Sequence, residues 1–230
     1  MTFHRQSNNL APPELKKVHP LGKSPVIAIA PPDGGADVVL AESGFIAQYL
    51  SEHFGRDTTT MMPRRYREGQ EGRPGGETEA WLRWQYLLHF TEGTMMPSLI
   101  LGWVISGLQG SAVPFFLRPV TSLVAGRIIA GFVHPNIRAQ LAYLEELLAT
   151  SGGDYLCGPD LTAADVLLSF GLITGREKVA SLGDWDGRHP RDLFPKLYAY
   201  IDRLESLPGY KRSVQKVKEI DESLGIHFQL

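Results

Sequence analysis

Two regimes of patterning divide the chain. Up to residue 54, short apolar runs alternate with turn chemistry; after Gly76, apolar residues recur at helical spacing. Val26-Ile27-Ala28-Ile29 is an apolar run, Pro31-Pro32-Asp33-Gly34-Gly35 is a turn signal, and Val38-Val39-Leu40 returns, so the stretch predicts a β-hairpin. Ser43 then precedes Phe45, Ile46, Tyr49 and Leu50, the stripe of an amphipathic helix ending near Gly55. Upstream, Pro12 and Pro13 suit the first turn of a short helix through Val18, and Thr2 to Arg5 is a weak strand.

Beyond Gly76 the strand signals stop. Glu77 to about His89 is a helix with Trp84, Leu87 and Leu88 on one face. Ile137, Leu141, Leu144 and Leu148 mark another. Thr162-Ala-Ala-Asp165 has the spacing of a capping box, with Thr162 as N-cap and Asp165 reaching back. Phe194–Leu207 and Tyr210–Ile220 supply two more helices. The pattern predicts an α+β chain: an α/β unit over residues 1–55, a linker over 56–76, and an all-α unit over 77–230. The linker's Arg64, Arg65 and Arg67 read as a solvated connector ahead of an anion patch.

One stretch competes with this picture. Gly93 to Leu117 carries no charged residue and has the length of a membrane span. Pro97, Pro114, Gln109, three serines and four glycines favour a buried helix with a polar-lined turn instead. Composition narrows the classes further. The 230 residues hold 23 Lys and Arg against 25 Asp and Glu, a net charge of −2, which leaves no basic field for nucleic acid. A hydrophobic fraction of 43% with 21% charged residues marks a globular chain. The single cysteine, Cys157, excludes an internal disulfide and reads as a buried, inert thiol. The seven histidines show no metal spacing, so no metal is expected. The N-terminus lacks the apolar core of a signal peptide, and the expected compartment is the cytoplasm.

Three segments carry a family likeness. They are Pro12-Pro-Glu-Leu-Lys-Lys-Val-His-Pro-Leu-Gly-Lys-Ser-Pro-Val-Ile27, Leu40-Ala-Glu-Ser-Gly-Phe-Ile-Ala-Gln-Tyr-Leu50 and Tyr155-Leu-Cys-Gly-Pro-Asp-Leu-Thr-Ala-Ala-Asp165. In this order they resemble the cytosolic glutathione transferases, especially fungal members, across nearly the whole chain. The resemblance implies a thioredoxin-like first domain, a helical-bundle second domain, glutathione as co-substrate and a homodimer. It also implies site roles. Glu42 would meet the γ-glutamyl ammonium, and Ser43, at a helix N-terminus, a carboxylate. Ser24-Pro25 would form a cis-proline turn whose backbone pairs with the cysteinyl unit like an added strand. Lys23, His19 or Lys16 would reach the glycyl carboxylate. Thr162 and Asp165 are structural. The electrophile would meet apolar side chains of the early helical domain: Tyr86, His89, Phe90 and Met96, with Met95 and Trp103 nearby.

One departure stands out. In the family a strand and a helix precede the segment that opens this chain, and the turn between them carries the residue that contacts the glutathione sulfur. Residue 1 here resembles the start of the second strand, so about 30 residues, one βα unit, have no counterpart, and the catalytic residue is unknown. Magnitudes keep catalysis open. Lowering a thiol pKa from about 8.5 to about 6.5 raises the thiolate fraction roughly 25-fold at pH 7, and the fall in nucleophilicity leaves a net gain of only about 3-fold. Holding thiol and electrophile together contributes far more. The expected function is conjugation of glutathione thiolate to an apolar electrophile, in detoxification or secondary metabolism. The alternatives are a non-catalytic glutathione-binding or scaffold protein of the same fold, and a membrane-inserting one.

Overall fold

The computed structural model describes residues 11–55 and 61–220; the expected strand at Thr2 to Arg5 lies outside them. The chain divides into two compact units, Met1–Met62 and Pro63–Leu230.

The first unit builds its elements in the expected order. A 3-10 helix, Pro13–Lys17, opens after Pro12. Strand β1 (Val26–Ile29) pairs antiparallel with β2 (Val38–Ala41), with Val26 opposite Ala41 and Ile29 opposite Val38. An isolated two-stranded hairpin is marginal in water. Helix α1 (Ser43–Phe54) covers it, burying Ile46 in the same unit as the buried Leu40 of β2.

The second unit begins with a closed loop. Tyr66 bridges Glu77, the Arg67 N–H donates to Gly76 O at 2.9 Å, and the Thr78 N–H donates to Arg65 O at 2.8 Å. The arginines are engaged inside it. Arg65 lies over the Tyr66 and Trp81 rings, Arg67 donates to Gly75 O, and Arg64 pairs with Glu71 at 3.7 Å.

Two long helical rods follow. Helix α2 (Glu79–Phe90), capped by the Thr78 hydroxyl, passes through a π-helical turn, Thr91–Met95, directly into α3 (Met96–Gly107). Helix α4 (Arg118–Ile128) likewise passes through a π turn, Ile129–Val133, into α5 (His134–Thr150). Each π turn sits just before a proline, Pro97 or Pro135. A proline inside a helix lacks a donor and clashes with the carbonyl four residues back; widening the turn relieves both. Helix α6 (Ala163–Ser181), the short α7 (Pro190–Leu193), α8 (Pro195–Ser206) and α9 (Pro208–Ile220) complete the unit.

The core joins Trp84 and Leu87 of α2, Leu144 of α5, Leu168 of α6 and Leu197 of α8, all fully buried. Gly171 lets α6 approach α3: a Cβ there would lie 2.9 Å from Met96 Sδ and 3.4 Å from Leu99 Cδ1. Glu145 of α5 accepts the Lys196 and Leu197 N–H groups at 3.1 and 2.7 Å, capping α8 from a distance. The order, a small α/β unit then an all-α unit, is the expected one.

The charge-free stretch departs from expectation. It is not a buried helix. Helix α3 buries Leu99 and Gly102 but exposes Ile100 and Val104, and Phe115, Phe116 and Leu117 are exposed in the turn that follows. Absence of charge reports that no ion is present, not that every face meets protein; α3 packs through one stripe only. No helix among the described residues is long and apolar enough to cross a membrane.

Candidate functional site

In the first unit, hairpin register gathers the residues singled out by sequence. Val26 pairs with Ala41, so the same register carried one step outward brings Pro25 and Glu42 to one end of the pair, with Ser24 and Ser43 beyond them. The Ser24–Pro25 peptide is cis, and both residues are exposed. Glu42 joins β2 to α1 at φ 73° and ψ 117°, a conformation that L side chains rarely adopt. Its carbonyl accepts the Ile46 N–H at 2.9 Å, and its carboxylate makes no cap bond. Such a backbone persists only where its surroundings hold it, and it clusters at binding sites. The helix it launches opens with no acidic side chain in its first turn. The positive end of α1 thus faces the same end of the hairpin as Ser24–Pro25.

The candidate cations lie on the approach to β1. The Gly22 N–H donates to His19 O at 2.8 Å, closing a turn at φ 58° for Gly22. The Lys16 stem lies over that glycine, whose Cβ would meet Lys16 Cγ at 2.8 Å. Lys16 and Lys23 are exposed and His19 half-buried. Chemically, this end of the unit offers a carboxylate for an ammonium, a helix N-terminus and cations for carboxylates, and an exposed backbone turn for an extended peptide.

In the second unit the electrophile-site candidates separate. Tyr86 and His89 are exposed on α2, and the Gln85 amide nitrogen lies 3.2 Å from His89 Nε2. Phe90 and Met95 are buried in the unit's own packing, and Met96 and Trp103 are half-buried. The Lys178 ammonium stands 5.3 Å from the Trp103 ring centre. Sequence reasoning missed Tyr143 of α5. Its ring meets those of Tyr86 edge-on at 5.7 Å and Phe90 at 6.0 Å, and burial, with Tyr86 beside it, pushes its hydroxyl pKa up. No local signal marks it, because its partners lie more than 50 positions away.

The capping residues form a buried network. Asp165 accepts the Thr162 N–H and hydroxyl at 2.8 and 2.6 Å, the Leu156 N–H at 3.1 Å and the Tyr200 hydroxyl at 2.7 Å. Cys157 lies beside it, its thiol pushed up to about 12 by burial and by the Asp165 charge. A thiol so raised is neutral and unreactive. Among the described residues no group of three or more His, Cys, Asp or Glu is placed to hold a metal ion.

Comparison with known proteins agrees with this architecture. The model of the glutathione S-transferase N-terminal domain matches residues 1–52, and that of the C-terminal domain matches residues 125–215. Glutathione S-transferase 1 of Saccharomyces cerevisiae is 28% identical over 218 residues, 95% of this chain and 84% of the relative. Glutathione S-transferase 3 of Schizosaccharomyces pombe is 27% identical over 172 residues, 74% of this chain and 62% of the relative. In structure, Ure2p5 of Phanerochaete chrysosporium, cocrystallised with 1-(S-glutathionyl)-2,4-dinitrobenzene, aligns with a TM-score of 0.62 at 17% identity over 90% of this chain and 80% of its own. Both halves of the family pattern are present, in order, and the chain belongs to the glutathione S-transferase family.

Proposed function

We propose that the chain is a glutathione transferase, joining the glutathione thiolate to an apolar electrophile. The observation that carries this reading is the hairpin end, where cis Ser24–Pro25 and the Glu42–Ser43 junction stand together. Glu42 receives the γ-glutamyl ammonium. Ser43 and the first turn of α1 receive the neighbouring carboxylate. The Ser24 backbone pairs with the cysteinyl unit, and Lys23, with His19 or Lys16, receives the glycyl carboxylate. The sulfur then attacks the electrophile, by displacement of a leaving group or by addition to an activated double bond. The protein's contribution is to bind and orient the thiol. Tyr86 and His89, exposed on α2, are the electrophile-side candidates, and the working unit is a homodimer in the cytoplasm. The relatives' names and the conjugate held by the Phanerochaete chrysosporium protein support the substrate class.

The test is turnover: glutathione with 1-chloro-2,4-dinitrobenzene, followed by absorbance of the conjugate. The reading expects a rate above the uncatalysed reaction that saturates in glutathione and falls in Ser43→Ala. A rate equal to the uncatalysed one across several electrophile types, from a folded chain, overturns it.

A further inference from the structure

We propose that Gly22 is a positioning residue of the glutathione site: it holds the Lys16 ammonium ready for the glycyl carboxylate, and so selects the tripeptide over γ-glutamylcysteine. The inference rests on the transferase reading above. Gly22 stands at φ 58°, and its N–H donates to His19 O at 2.8 Å. It is buried, although Leu21, Lys23 and Ser24 around it are exposed. The atoms nearest a Cβ placed at Gly22 all belong to Lys16, with Cγ at 2.8 Å and the backbone nitrogen at 3.5 Å. Any side chain here therefore meets two obstacles, a left-handed backbone and the lysine stem. With glycine in place, the stem lies along the turn and the ammonium stays in water.

Ligand direction brings the glycyl end to this turn. Hairpin register puts Glu42 beside Pro25, and Glu42 takes the γ-glutamyl ammonium in the reading above. With the cysteinyl unit paired to Ser24, the third residue of an extended ligand falls on the other side, alongside Lys23 and towards Gly22, at about 3.3 Å per residue. Two cations meet it there, Lys23 from the turn itself and Lys16 held across Gly22. Among the described residues Lys16 forms no salt bridge, so its charge is uncommitted. An ammonium on a stem already held gives up less rotamer freedom on meeting a carboxylate than one on a free stem. Lys17 is exposed as well, but it is not among the atoms that meet Gly22, and it serves as the free comparison.

The test is calorimetric titration of the full chain with glutathione and with γ-glutamylcysteine, which lacks the glycyl carboxylate. Lys16→Met keeps an apolar stem over Gly22 and removes the charge. It is expected to weaken glutathione binding about threefold or more and to leave γ-glutamylcysteine binding unchanged, while Lys17→Met changes neither. Gly22→Ala has the same effect as Lys16→Met, and the double variant is no weaker than the weaker single one, because both act through one ammonium. Gly22→Asn tolerates the left-handed backbone better and still displaces the stem, so it carries the test where Gly22→Ala loses the fold. Equal weakening of both ligands by the Gly22 variants overturns the proposal, since the glycine then only builds the turn. So does a Lys16→Met chain that binds glutathione as the parent does. A parent that binds both ligands equally well overturns the positioning role alone; a parent that binds neither overturns the transferase reading with it.

Discussion

Asp165→Ala removes a fully buried carboxylate that four donors share. Two come from Thr162, one from the Leu156 backbone and one from Tyr200, and all three residues are at most 2% exposed. A hydrogen bond to a charged group contributes about 1.5–3 kcal/mol, and a buried donor left without an acceptor costs about 1–3 kcal/mol. The four bonds act as one network, so their deletion is not a sum. The substitution leaves neutral buried donors, not a buried charge, without their acceptor, so a cost of about 3 kcal/mol is expected, a large share of the roughly 5–15 kcal/mol that holds a native chain. The start of α6 also loses the reciprocal half of its capping box, so the damage reaches the helix that passes through the core. Tyr200→Phe removes one donor and leaves three on the carboxylate, for about 1–2 kcal/mol. Urea unfolding, followed by circular dichroism and tryptophan fluorescence, measures both. An Asp165→Ala midpoint corresponding to less than about 1 kcal/mol would refute the network argument.

Two further predictions concern the same unit. Cys157 reacts with a disulfide reagent in the native chain far more slowly than in urea. Its folded pKa of about 12 lies above its ordinary value of 9.0, so the thiol is neutral in both states at pH 7 and the stability attached to it is fully present there; that stability is lost as pH rises from 9.0 towards 12, and fast native labelling at pH 8 would contradict this. Gly153→Ala places a Cβ 2.3 Å from Pro159 N and 2.4 Å from Gly158 C, against backbone that has nowhere to move. It costs about 2 kcal/mol or more by thermal unfolding, while Gly131→Ala, inside a helical rod with open space around it, is neutral or stabilising by up to about 1 kcal/mol; equal effects would contradict the packing account.

Much of the first unit was legible because its signals are local. Pro31 to Gly35 names a turn whatever surrounds it, the flanking runs then fix a hairpin, and Thr162 with Asp165 names a helix start. The rods of the second unit were less legible. Pro97 reads as a breaker, yet a π turn carries the helix through it, and that widening is paid for by contacts the local sequence does not contain. Helix α4 escaped notice because Val120, Leu123 and Val124 face outward, so its apolar positions give no one-sided stripe. The candidate site shows the same division. Ser24–Pro25 and Glu42–Ser43 sit in recognisable segments and hairpin register joins them. Phe90 and Tyr143 belong to one aromatic cluster only because α2 and α5 pack together.

Calorimetric titration of the chain with glutathione tests the central claim most directly. The account predicts saturable binding in the micromolar to low-millimolar range, with Glu42→Ala/Ser43→Ala abolishing it and leaving the circular dichroism spectrum unchanged. A well-folded chain that takes up no glutathione, or a double variant that binds as the parent does, would contradict it.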